Sequence, residues 1–256
     1  MNTRLRETAA LVMLAGVSLV AAEPAYVGKW KFNAARSQLT GDTVTISSGA
    51  DGTMTFDGQG FKYSFKVDGK EYPTPDGSRA SWTQPEPDAW DVTIKAGGKL
   101  LVGYRAVVKG ETMRLAGKLT KPDGTTSDFT VAYKRTAGGP GLVGKWTSTE
   151  VTMPVSLLEV AAVAPDGVTI TDDTGAVFSG QFDGTAAPGL GRLKGSKYTT
   201  IFRKTGANGF EMRTSVDGQP MYAEVYSVSA DGKTLTIDGT PVNAPTEKYK
   251  VVFDRQ

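Results

Sequence analysis

Ten Asp-Gly pairs punctuate the 256-residue chain, among them Asp68-Gly69, Asp123-Gly124, Asp217-Gly218 and Asp231-Gly232, and Asn208-Gly209 adds another turn of the same kind. The dipeptide supplies the positive φ values that tight hairpin turns need. Between the turns apolar residues alternate. Tyr63, Phe65 and Val67 share one face, as do Trp90, Val92 and Ile94, and Phe129, Val131 and Tyr133. Farther on, Phe210, Met212 and Thr214 alternate with Glu211 and Arg213, and Tyr249, Val251 and Phe253 with Lys248 and Lys250. A period of two with one apolar face predicts strands that are wet on one side. The turns lie too close together for crossover helices, so the pairing is expected to be antiparallel.

The pattern occurs twice. Gly28-Lys29-Trp30 recurs as Gly144-Lys145-Trp146, and Val67-Asp68-Gly69 as Phe182-Asp183-Gly184. Asp88-Ala89-Trp90-Asp91-Val92 matches Asn208-Gly209-Phe210-Glu211-Met212 at a shift of 120, and the closing Phe129–Arg135 matches Tyr249–Arg255 at the same shift. Four matches in order, with small drifting offsets, predict a duplicated domain of about 115 residues. Roughly eight to ten strands per unit, joined by sequential hairpins, favour an up-and-down barrel, because closure removes exposed edges. The expected division is a leader at 1–22, a first barrel domain at 23–136, a Gly/Pro linker at 137–141 and a second barrel domain at 142–256.

The leader reads as an export signal. Arg4 and Arg6 precede an apolar run from Ala9 to Val20, and the small residues Ala21 and Ala22 follow. The run is shorter than the roughly 20 residues that span a bilayer, and no later run approaches that length, so no stable membrane span is expected. The expected location is extracytoplasmic, in the periplasm or the medium. The chain has no Cys and no His. That excludes disulfides, thiolate metal sites, thiol nucleophiles and imidazole acting as base or ligand, and no cofactor is expected. Stability must then come from packing alone. Twenty-nine basic residues against 27 acidic ones give a net charge of +2, with no basic stripe to suggest nucleic acid.

Two short segments break the strand pattern. Ser156-Leu157-Leu158-Glu159 has the spacing of a helical capping box, and Asn33-Ala34-Ala35-Arg36-Ser37 suits a single helical turn. Both are expected to act as lids over a barrel mouth.

The opening Gly28-Lys29-Trp30-Lys31-Phe32-Asn33-Ala34-Ala35-Arg36-Ser37 resembles the start of uncharacterised bacterial secreted proteins with a G-x-W-K-x-N-x-x-K/R-S pattern. Phe65–Pro73, Gly97-Gly98-Lys99 and Val131–Arg135 fit the same family, so the likeness spans most of residues 26–136. The second unit departs from it, with Trp146-Thr147-Ser148-Thr149 in place of the W-K-x-N continuation. The resemblance implies a lipocalin-like barrel and carries no activity or catalytic residues with it. A G-x-W near the first strand is also similar to true lipocalins, which implies that Trp30 and Trp146 close a barrel floor.

The fold expected is therefore all-β, two tandem antiparallel lipocalin-like barrels. The function expected is non-catalytic binding of a small apolar ligand inside a barrel, since closed barrels of this size can hold one such molecule. Phe65, Trp90 and Tyr133 in the first unit, and Phe202, Phe210, Met212 and Tyr226 in the second, are the candidate lining. The alternative is a cell-envelope or extracellular scaffold with filled barrels, recognising its partner through the loops around Tyr72–Gly77 and Trp82–Asp88. The oligomeric state is left open. Paired carboxylates were weighed for hydrolysis: Glu150, Glu211 and Glu224 are the acids on expected strands of the second unit, and a solvated face accounts for them better. Asp172-Asp173-Thr174-Gly175 reads as a turn rather than a calcium loop.

Overall fold

The computed structural model describes residues 23–58 and 60–256. The export signal expected at 1–22 lies outside the described residues. The chain opens with β1 (Gly28–Phe32) and a short 3-10 turn at Ala34–Arg36. Ten strands follow: β2 (Thr43–Ser48), β3 (Met54–Gly58), β4 (Phe61–Phe65), β5 (Glu71–Pro73), β6 (Arg79–Glu86), β7 (Ala89–Ala96), β8 (Lys99–Lys109), β9 (Thr112–Thr120), β10 (Thr126–Ala137) and β11 (Gly144–Thr152). The rest are β12 (Leu157–Val163), β13 (Gly167–Asp172), β14 (Ala176–Gln181), β15 (Ala187–Pro188), β16 (Leu190–Gly191), β17 (Tyr198–Gly206), β18 (Gly209–Val216), β19 (Gln219–Val228), β20 (Thr234–Pro241) and β21 (Tyr249–Arg255).

These strands form two nearly closed antiparallel barrels. The first has ten strands in the order β4-β3-β2-β11-β10-β9-β8-β7-β6-β5. The second has eleven, in the order β15-β17-β18-β19-β20-β21-β1-β12-β13-β14-β16. Inward residues build a separate core in each. One gathers around Phe65, Trp82, Trp90 and Trp146, the other around Trp30, Phe202, Phe210 and Phe253.

The barrels do not follow the sequence repeat. β1, the opening strand of the first unit, lies in the second barrel between β21 and β12. β11, the opening strand of the second unit, lies in the first barrel between β10 and β2. The division at 137–141 is therefore corrected: Ala137 ends β10, and residues 138–143 join it to β11 as a hairpin within one barrel. The two repeats have exchanged their first strands. The chain crosses between barrels twice, at residues 33–42 and again at 153–156.

The Gly-Lys-Trp motif explains why either copy can close a barrel. Trp30 and Trp146 are fully buried and donate through Nε1 to the carbonyls of Tyr26 (3.1 Å) and Leu142 (3.0 Å). Arg255 lies over the Trp30 ring at 4.1 Å, and Arg135 over Trp146 at 4.0 Å. Each guanidinium also reaches main-chain oxygens before the motif: Arg135 those of Val143 and Gly141, Arg255 those of Val27 and Ala25. The glycine makes the stack possible. A Cβ at Gly28 would lie 2.7 Å from Arg255 Nη1, and one at Gly144 would lie 2.8 Å from Arg135 Nη1.

Several sequence expectations change. Ser156–Glu159 is no helix: residues 157–163 form β12, and Leu158 and Val160 face the core with the strand period of two. Ser156 instead hydrogen-bonds the Asp173 carboxylate through its main chain at 2.9 Å and its hydroxyl at 2.5 Å. The turn after Asn33 does form, with the Asn33 side chain accepting from Arg36 N. Asp172–Gly175 is a turn, closed by Asp172 Oδ1 on the amides of Thr174 and Ala176. Seven of the ten Asp-Gly glycines have positive φ; Gly58, Gly167 and Gly239 sit in strands instead.

Candidate functional site

A cavity of about 690 Å³ reaches from the second barrel to the first, whose strands β2, β3, β10 and β11 contribute Thr43, Asp57, Phe129, Val131 and Lys145 to its lining. Its interior wall comes from alternate residues of β12–β14 and β18–β21, including Ile170, Phe178, Met212, Tyr226, Ile237 and Phe253. Its mouth is built by both chain crossings, through Leu39 and Asp42 on one side and Met153, Pro154 and Val155 on the other. The strand exchange thus positions the opening. Thr43, at the start of β2, is held to the β20–β21 loop by Glu247, which accepts from the Thr43 amide at 3.0 Å and from its hydroxyl. Lys121 of the β9–β10 turn pairs with Asp173 at 3.6 Å.

The polar centre of the cavity is Glu224. On β19, Tyr222, Glu224 and Tyr226 point to the same side, since successive side chains alternate across a sheet, and all three line the cavity. Tyr249 Oη donates to Glu224 Oε1 at 2.6 Å, and the Tyr226 hydroxyl also bonds to this carboxyl. Tyr226 is fixed by stacking on Phe210, with centroids 4.6 Å apart. Gly239 lies between Glu224 and Tyr249 in the pairing of β19, β20 and β21. A Cβ there would fall 2.0 Å from the Tyr249 ring, so the missing side chain lets the ring lie across the strand and reach the carboxylate. Burial pushes the Glu224 carboxyl above the usual carboxylate range, against the two phenol hydrogen bonds, which favour its ionised form.

A smaller cavity of about 260 Å³ lies in the first barrel, lined by Phe56, Trp82, Tyr104, Phe129 and Tyr133 among others. No carboxylate or ammonium lines it.

Of the residues expected to line a ligand site, Met212 and Tyr226 face the large cavity and Tyr133 the small one. Phe65, Trp90, Phe202 and Phe210 line neither. They are packing residues: Phe65 stacks on Trp82 at 4.4 Å, Phe210 on Tyr226, and Phe202 sits edge-on to Phe210 at 6.2 Å. Trp90 is buried in the first core. Trp82 also points inward, so the loop surface considered for partner recognition does not present it. Glu150 is exposed, 3.9 Å from Arg114, and Glu211 pairs with Arg213 at 2.8 Å. Glu224 departs from its expected solvated face. The signal that would have found it is its spacing: two residues before Tyr226, itself expected to face inward, and two after Tyr222.

Compared with known proteins, the chain matches no family model and no curated protein sequence.

Proposed function

We propose that the protein is an exported, non-catalytic binding protein that holds one small, largely apolar molecule in its second barrel. The observation that carries this reading is the cavity of about 690 Å³, walled largely by aliphatic and aromatic side chains, with the Glu224 carboxyl held among three tyrosines. Its size falls within the roughly 300–1,000 Å³ of small-molecule sites, and its lining has their usual composition, apolar walls with a few convergent polar groups. The first barrel, with a cavity of about 260 Å³, is read as the structural partner. It supplies β2 and β11 beside the mouth, and both crossings anchor there. In this reading the two lipocalin-like units have diverged, one to bind and one to support.

Native mass spectrometry of residues 23–256 after incubation with a lipid and metabolite extract tests the reading. A reproducible added mass is expected. It should weaken in Met212→Trp, which narrows the large cavity beside Glu224, and persist in Leu115→Phe, which narrows the small one. A bare mass at every extract concentration, with the fold intact, would overturn the reading in favour of a filled scaffold.

A further inference from the structure

We propose that the ligand of the second barrel carries a protonated amine, and that Glu224 is the residue that recognises it. The inference rests on the cavity being a ligand site and adds the chemistry of what enters it.

The first argument is the state of Glu224. Among the described residues no cation pairs with it; its partners are two phenol hydroxyls. A carboxylate offers about four acceptor positions. Tyr249 and Tyr226 use part of that capacity, and the remainder faces the cavity. Other carboxylates along the lining are engaged by the protein itself. Asp57 pairs with Lys62 at 2.9 Å, Asp172 holds its own turn, and Glu247 holds Thr43. Burying a carboxylate without a cation is unfavourable. A cation delivered by the ligand would relieve that penalty.

The second argument is the sign of the surrounding charge. Asp42, Asp172, Glu224 and Glu247 line the cavity and its mouth beside the single lining ammonium of Lys145, while the charge of Asp57 is balanced by Lys62. Such a lining opposes a ligand carboxylate or phosphate and favours a positive group. The third is the aromatic frame. The rings of Tyr222, Tyr226 and Tyr249 surround Glu224, and π faces attract an organic cation. Together these select a molecule with an apolar body for the aliphatic wall and an ammonium for Glu224. A neutral lipid leaves the carboxylate without a partner, and a fatty acid places two carboxyl groups together.

Three probes of equal chain length separate the cavity from its polarity: dodecylamine, dodecanol and dodecanoate. Each is titrated below its micellar concentration against full-length mature protein carrying the neutral fluorophore N-phenyl-1-naphthylamine. In the wild type the amine is expected to displace the fluorophore at least tenfold more tightly than the alcohol, and dodecanoate more weakly than both. In Glu224→Gln the amine should fall to within about twofold of the alcohol. Glu247→Gln, which removes a charge only at the mouth, should keep the preference. Equal binding of amine and alcohol by the wild type overturns the inference and leaves the cavity reading standing. A preference that survives Glu224→Gln, or that vanishes in Glu247→Gln, overturns it as well. Binding of no probe, the fluorophore included, overturns both. The wild-type ratio decides by itself if the variant does not fold.

Discussion

In the first barrel Tyr104, Gly117 and Phe129 lie side by side across β8, β9 and β10; in the second, Glu224, Gly239 and Tyr249 occupy the same rung across β19, β20 and β21. The two rungs share a central glycine flanked by two large side chains. Their chemistry differs. Tyr104 meets Phe129 edge to face at 6.2 Å; both line the small cavity, and Phe129 also borders the large one. Tyr249 donates a hydrogen bond of 2.6 Å to Glu224, and the adjoining cavity is large. The differences are complementary: at the shift of 120, the ring that becomes a carboxylate faces a Phe that becomes a Tyr. A buried acceptor replaces an apolar ring only where a donor arrives with it. One sheet geometry thus supports a packed interior or a polar, hollow one, and two side chains make much of that difference.

The barrels should be separable by their buried Gly-Lys-Trp tryptophans. Trp30→Ala removes a fully buried indole from the second barrel and is expected to cost about 3–5 kcal/mol in urea unfolding. Because β1 pairs with β12 and β21, amide hydrogen exchange should accelerate in those strands and leave β2 and β10 protected. Trp146→Ala should do the reverse. Loss of protection in β2 and β10 on truncating Trp30 would mean that the opening strand belongs to its own repeat, and the strand exchange would be wrong.

The rung comparison makes the next largest prediction. Tyr104→Glu places a carboxylate in the small apolar cavity and should destabilise by about 2–4 kcal/mol. Adding Phe129→Tyr supplies the missing donor and should recover about 1 kcal/mol of that loss. Additive losses in the double variant would show that the second barrel tolerates Glu224 for a reason other than the Tyr249 hydroxyl.

Much of the fold was legible, because turns and alternation are local. The positive-φ glycines and the two-residue period of Phe210, Met212 and Thr214 need no distant partner to be read. The strand exchange was not legible, because β1 and β11 carry the same Gly-Lys-Trp motif. Each meets the same Arg stack and the same main-chain acceptors, so the sequence shows that a plug exists and not which barrel it closes. The capping-box spacing at Ser156 misled for a related reason. Its hydroxyl and its main-chain N–H both donate to the carboxylate of Asp173, a residue of another turn, and tertiary pairing overrides local propensity. At the site, aromatic identity alone pointed to filler as readily as to lining. Phe202 and Phe210 sit where other rings close over them, whereas Glu224 was set aside by its charge, although its parity along β19 places it inside.

A finer test uses the two central glycines. The atoms nearest a Cβ at Gly239 belong to the Tyr249 side chain, whereas one at Gly117 meets the Gly103 carbonyl at 2.4 Å as well as Tyr104. Both Gly239→Ala and Gly117→Ala should cost about 1–3 kcal/mol. Shrinking the neighbour should rescue only one. Tyr249→Leu added to Gly239→Ala should cost less than the sum of the two changes, and Tyr104→Leu added to Gly117→Ala should be additive, because the Gly103 carbonyl and the Tyr104 Cα and Cβ remain in place. Additivity at Gly239 would show that the ring does not need the bare backbone beneath it.

The smallest effect expected is a pH dependence confined to the second barrel. Burial raises the Glu224 carboxyl, so the native state favours its protonated form. The stability this provides is fully present below the unfolded-state value, about 4.3, and is lost as the pH rises through the native one. Glu224→Gln cannot ionise. The variant and the wild type should therefore melt at similar temperatures in acid, with the variant gaining on the wild type as the pH rises toward neutrality. The groups facing position 224 do not blur the comparison. Met212 and Gly239 carry no charge, and Tyr222, Tyr226 and Tyr249 are raised above their ordinary value by burial, so they stay protonated throughout that range. Exposed acids titrate identically in both proteins and cancel in the difference. The matching change in the first barrel, Tyr104→Gln, should show no such divergence with pH, because no carboxylate lines its cavity. If the Glu224→Gln difference is flat across pH, the carboxylate is already ionised in the native barrel. The compensating positive charge would then have to be present before any ligand arrives.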